Sequence, residues 1–333
     1  MIDTPGAHKT PTHEKILKFR QEKRKRAGIL MFVYILIFMI IFFFVYGFES
    51  RYYEESKNVL TRITIPQVFM STVFTLLGFG FLLSSYKGTR IAGFGIALIV
   101  ISFNYLIGPL LQELWFIALL KDKVPVDNAA NFWAQGNLDL VAPSSITFKL
   151  ANLCSVSYLI AMTGLVGRIS ISGIYLSIVL FNILWYLNLY LNILLSQTKN
   201  LKPLVYLDDY GTYFVYLFGA VYGLLCCLFN KVSHSENDQR RDKLSTVYHL
   251  IGSAFLFCTF SLTNFDIVGG TDVSSSNFRY SAGPSNILFS MIGSVLGIYF
   301  GSLIINKGRV GVREASFGVI VGAIMNGVGA NFI

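Results

Sequence analysis

The sequence predicts an all-α fold, a polytopic membrane helical bundle of about nine transmembrane helices. Three observations predict it. Of 333 residues, 54% are hydrophobic and only 14% are charged, a balance that belongs to a membrane chain with repeated apolar runs and not to a soluble core. The apolar residues gather into nine runs of about 19 residues or more, each enough helix to cross a roughly 30 Å hydrocarbon core. The cations are distributed unevenly between the connecting segments. With the N-terminus inside, 18 of the 27 Lys and Arg residues fall in inner segments and 8 in outer ones, with Lys149 inside a span, as the positive-inside tendency requires.

In chain order, residues 1–27 form a polar, basic segment that ends in Lys23-Arg24-Lys25-Arg26. The apolar run behind it is too long for a signal-peptide core and carries no small-residue cleavage site. Glu14 and Glu22 interrupt the basic stretch, against a transit peptide. The transmembrane domain then runs over 28–333, with spans at roughly 28–48, 65–86, 91–120, 144–166, 171–195, 206–229, 244–264, 282–305 and 314–333. This count places the N-terminus inside and the C-terminus outside. The connections at 121–143 and 265–281 are too small for separate domains, and 230–243 is densely charged, which reads as a segment either solvated or docked on a partner.

The net charge of +9 is explained by topology, since no segment interleaves basic and aromatic residues as a nucleic-acid groove does. Cys154, Cys226, Cys227 and Cys258 all lie in apolar runs without a CxxC pair, so they read as small core residues. No Asn-x-Ser/Thr sequon occurs. There is no nucleophile with a base at usable spacing, no metal-ligand cluster and no Walker-type glycine run. The reading is therefore not an enzyme, with no catalytic residue, metal or cofactor.

The chain is organised around Tyr206 to Asn230. After Asp209 it carries no charge for about 20 residues. Gly211, Gly219 and Gly223 fall at helical spacing, and the last two form a small-xxx-small pair that admits a second helix closely. Asp208, Gly211, Phe218-Gly219-Ala220 and Gly223-Leu224 together resemble the pore helix of the ammonium transporter and Rhesus (Rh) glycoprotein family. The resemblance extends over most of the chain: Gly78-Phe79-Gly80-Phe81-Leu82, Leu111 to Phe116 around Gln112 and Trp115, Gly167-Arg168, Leu250 to Phe257, and Glu314 to Gly318 are similar to family runs in order and spacing. The basic lead-in and first span look like the additional N-terminal helix of Rh proteins.

The resemblance implies two inverted halves with a pore between them. Here it implies an incomplete fold, with 65–195 as a complete first half and 206–333 as a shortened second half. It also marks a departure, because the position of the pore His is Tyr216. A phenol donates a hydrogen bond but does not relay protons as imidazole does. His8, His13 and His234 are in polar segments, and His249, inside a span, matches neither pore position.

Five residues are the candidates for a transport role. Asp208 would draw a cation, against a plain carboxylate at a helix N-terminus. Tyr216 would line the path, against a packing aromatic. His249 would be a relay, against a hydrogen-bonding group near a helix end. Phe116 and Phe260 would gate, against coincidence in a chain with 29 Phe. Glu113 and Glu314, near span ends, read as partnered carboxylates, and Lys149 as a snorkelling side chain.

The expectation is a non-conducting, Rh-derived integral membrane protein, a structural or accessory subunit of a larger assembly, with lipid and other membrane subunits as partners and no nucleic acid. The mitochondrial inner membrane is the expected location, with the plasma membrane as alternative. The alternative function is a channel for ammonia, ammonium or carbon dioxide, working as a homo-trimer.

Overall fold

In the computed structural model, the described residues are 22, 26, 29, 32, 33, 36, 37 and 40, then 59–86, 92–119, 145–166, 169–196, 211–229, 243–262, 273–305 and 312–325. All elements among them are helices: α1 Val59–Ser84, α2 Ala92–Leu119, α3 Ser145–Leu165, α4 Ile171–Ser196, α5 Thr212–Phe229, α6 Lys243–Leu262, α7 Val273–Ile305 and α8 Val312–Met325. Eight of the nine expected spans overlap helices among the described residues, the last, 314–333, being described only to Met325. In the region of the first span, the eight scattered described residues are helical and exposed, Ile29, Phe32, Val33, Leu36, Ile37 and Ile40 among them.

Five stretches are long and apolar enough to cross a membrane: Ala92–Leu119, Thr147–Leu165, Ser172–Asn192, Thr212–Phe229 and Ser285–Ile305. The apolar parts of α1, α6 and α8, which are Val68–Ser84, Leu244–Phe260 and Ser316–Met325, are shorter. Large apolar side chains such as Phe69, Leu176, Leu224, Phe229 and Phe289 are exposed, which suits helices whose outer solvent is lipid.

The helices pack in two sets. In the first, α1 lies against α2 and α3, α2 against α3 and α4, and α5 against α3. In the second, α8 lies against α7 and α6. The sets join where α1 packs along α6. A Cβ on Gly252 would stand 2.8 Å from the carbonyl oxygen of Gly78 and 2.9 Å from the nitrogen of Leu82, so backbone meets backbone there because glycine leaves the space. The same device seats α5 on α3. A side chain on Gly219 would run into the Ser157 carbonyl, and one on Gly223 would stand 2.9 Å from the Cα of Ala161.

The deepest part of the core belongs to the first set. Trp185, Tyr158, Tyr186, Tyr190, Phe79 and Phe181 are its largest buried side chains. Phe181 meets Tyr158 and Tyr222 edge to face, with ring centres 5.0 Å and 4.9 Å apart, the arrangement ring quadrupoles favour.

Two local expectations need correction. Gly211 does not lie on the helical face shared by Gly219 and Gly223. It precedes α5 with φ 72°, a left-handed conformation that glycine adopts without Cβ strain. α5 then opens with a π turn over Thr212–Leu217, in which the Gly211 carbonyl accepts from the backbone N–H of both Val215 (2.8 Å) and Tyr216 (3.2 Å). Cys258 is exposed on α6 and is not a core residue, whereas Cys154 is buried and Cys226 and Cys227 are half-buried.

Candidate site at the junction of the two helix sets

The π turn presents Tyr216. Such turns widen the helix locally and loosen its carbonyl ladder, and here side chains of the first set take up the carbonyls. The Trp185 indole Nε1 of α4 donates to the Phe214 oxygen at 2.8 Å, and the Ser157 hydroxyl of α3 donates to the Val215 oxygen at 2.6 Å. Both donors are buried, so these bonds fix the position of the turn in a medium without competing water. Tyr216 is held between them and the second set. Its ring meets that of Phe260, on the last turns of α6, edge to face with centres 5.6 Å apart. Tyr216 is 5% exposed and Phe260 2%. Two of the five candidate residues thus touch, one from each set.

The other three do not join them. His249 lies 11 residues before Phe260 on α6, about 16 Å along the helix axis. It is buried; its Nδ1 is 3.2 Å from the Ser85 hydroxyl at the end of α1, and its ring meets Phe317 of α8 with centres 4.9 Å apart. Ser245 reinforces that corner by donating to the Ser85 carbonyl at 2.6 Å. His249 therefore ties α1, α6 and α8 together, far from the Tyr216 contact. Phe116 is in α2, but its side chain is outside the described residues, as is all of Asp208. Of the other charged residues in the helices, Glu113 and Lys149 are half-buried, and the side chain of Glu314 is not among those described.

A polar layer that no single motif announces crosses the first set. Asn182 of α4 donates to the Asn104 oxygen of α2 at 2.7 Å, and Asn104 donates to the Ser155 hydroxyl of α3 at 3.1 Å. The Cys154 thiol donates to the Asn182 oxygen at 3.3 Å. One turn away on α3, Asn152 donates to the Ser71 hydroxyl of α1 at 2.8 Å. All of these residues are buried. Amide and hydroxyl pairs of this kind join helices in a membrane, where hydrocarbon offers no other partner. Asparagines in the middle of apolar runs were the available signal. Among the described residues, no group of His, Cys, Asp and Glu is placed to hold a metal ion.

No family model and no curated protein sequence matches the chain. A solved structure does: Nitrosomonas europaea Rh50, reported with the mechanism of conduction by the Rhesus protein family of channels, aligns with a TM-score of 0.65 at 18% identity. The fold is similar to that of this Rh protein. The alignment covers 82% of this chain and 65% of Rh50, so the chain spans about two thirds of that neighbour's length. At this identity the likeness concerns the fold of an integral membrane protein.

Proposed function

We propose that this Rh-like chain is a non-conducting integral membrane protein, a structural or accessory subunit of a larger membrane complex, with the mitochondrial inner membrane as its location and its N-terminus inside. The carrying observation is the Tyr216–Phe260 contact. In an Rh-like arrangement a path for solute would run between the helix sets, and there two buried aromatic rings meet edge to face. A phenol with an ordinary pKa near 10 does not take over the proton handling of an imidazole, and His249 is engaged about 16 Å away along α6.

The sequence boundary puts Tyr206 onward in the second half. The packing of α5 on α3 favours assigning it to the first, so that the halves become α1–α5 and α6–α8. The exposed apolar faces of α7, with Phe289, Leu296, Phe300 and Ile304, suit a chain surrounded by lipid and other membrane subunits.

The test is flux. Purified protein in liposomes is challenged with ammonia and methylamine gradients, and internal pH is followed by stopped flow. The proposal expects the rate of empty vesicles; faster equilibration overturns it. The second reading, an ammonia, ammonium or carbon dioxide channel working as an oligomer, draws on the likeness to Rh50, whose structure was reported with a mechanism of conduction. In that reading Asp208 gathers the cation, Phe116 and Phe260 gate, and Asp208→Ala lowers the flux.

A further inference from the structure

We propose that α1 and α3 enclose a binding site for one neutral, water-sized, hydrogen-bonding molecule, held by Thr75, Ser71 and Asn152 within the first helix set. Two polar atoms point to it. The Thr75 hydroxyl and the Asn152 side-chain oxygen are both buried with no hydrogen-bond partner, on residues that are 0% and 3% exposed. Nearly all buried polar atoms in native proteins have a partner, either protein or ordered water, and hydrocarbon supplies none.

The two orphans share one seam. The Asn152 amide nitrogen donates to Ser71 at 2.8 Å, which holds the amide group against α1. Thr75 follows Ser71 by four residues and so lies on the same helical face, one turn on. A helical turn is about 5.4 Å, and two hydrogen bonds of about 2.8 Å through a single small molecule span that distance. The guest would donate to the Asn152 oxygen, exchange a hydrogen bond with Thr75, and lie within reach of the Ser71 hydroxyl. Three partners are the usual number for an internal water.

The site is selective by charge. Ser71, Thr75 and Asn152 are uncharged, and so are Asn104, Ser155 and Asn182 in the adjoining layer. A cation would exchange its hydration for a few neutral dipoles, a poor trade at membrane depth. Water and ammonia share the chemistry that fits. The site is built from α1 and α3 residues, whereas the Tyr216–Phe260 contact joins α5 and α6, and the proposal does not depend on whether that contact blocks a path.

The experiment is thermal unfolding of the full chain in nanodiscs. Thr75→Val keeps the shape and removes only the hydroxyl. If the hydroxyl holds a guest, the Tm falls by about 2–4 °C and Thr75→Ser stays near the wild type. If the seam is dry, the unpaired hydroxyl is a burden; Thr75→Val then leaves the Tm unchanged or raises it, and the proposal is overturned. Asn152→Leu and the double variant supply a cycle: an effect of the pair smaller than the sum of the singles supports a shared guest, and additivity refutes it. Should Asn152→Leu not fold, the sign of Thr75→Val decides. Comparing ammonium chloride with sodium chloride in alkaline buffer identifies the occupant. Stabilisation of the wild type but not of Thr75→Val by the ammonium salt assigns ammonia, and equal Tm in both salts assigns water. None of these readings involves flux, so their failure is separate from failure of the non-conducting reading.

Discussion

The seating of α5 on α3 is the contact that positions Tyr216, and Gly219→Ala tests it. A methyl at Gly219 would run into the Ser157 carbonyl oxygen and stand 3.0 Å from its carbon and 3.1 Å from its hydroxyl. Two of these atoms are backbone of a packed helix and cannot rotate aside. Overpacking of this kind costs about 1–3 kcal/mol. Separating the helices also breaks the bond from Ser157 to the Val215 carbonyl, worth roughly 0.6–1.7 kcal/mol in a membrane bundle. Alanine recovers up to about 1 kcal/mol in helix propensity, which leaves a net loss of about 1–4 kcal/mol. Gly297→Ala on α7 is the control, because nothing lies within 4 Å of its Cβ position. Only the propensity gain applies there, so that variant is neutral or slightly stabilised. Equilibrium unfolding in bicelles by SDS titration measures both. If Gly219→Ala proves as stable as Gly297→Ala, the close seating of α5, and the placement of Tyr216 that follows from it, is wrong.

Three further outcomes are expected. Asn182→Leu strands the Asn104 oxygen and removes the acceptor of Cys154, for a loss of about 1–3 kcal/mol in the same assay. Tyr216→His places an imidazole on the π turn and, on the proposed non-conducting reading, leaves proteoliposome flux at the empty-vesicle rate, because Phe260 still packs against that position; a rise in flux would count against closure by that contact. A membrane-permeant maleimide modifies exposed Cys258 and spares buried Cys154, as mass spectrometry of the labelled peptides would show.

The helical bundle was legible because span length and charge asymmetry are properties of a linear string: apolar stretches sum over about 20 residues and survive small errors at their ends. The close approach of Gly219 and Gly223 was legible for a similar reason, since both sit on one face at a spacing of four. The π turn was not. Hydropathy is blind to whether a carbonyl is shared by residues four or five positions on, so Gly211 looked like a third member of the glycine face when it is the residue that turns the chain into the helix. α7 begins at Val273, before the expected 282, because its Ser- and Gly-containing first turns look like loop to a hydrophobicity scan. Cys258 was assigned inward by residue type, and only packing shows which face of α6 is outside. Tyr216 and Phe260 were each picked out singly; that they touch is a tertiary fact that no local pattern encodes. The asparagine layer went unread because one polar residue scarcely lowers the mean of an apolar run, and its partners lie on other helices.

The crossing of Gly78 and Gly252 has a mechanical consequence. With main chains in contact there, lengthwise sliding of α1 along α6 meets backbone, and scissoring about that pivot is the less hindered motion. Phe260 is eight residues from Gly252, a lever arm of about 12 Å. A swing of about 10° at the pivot therefore moves the ring by only about 2 Å, so parting the two rings by the width of a solute demands a rotation large enough to break the contact of His249 with Ser85 at the opposite arm.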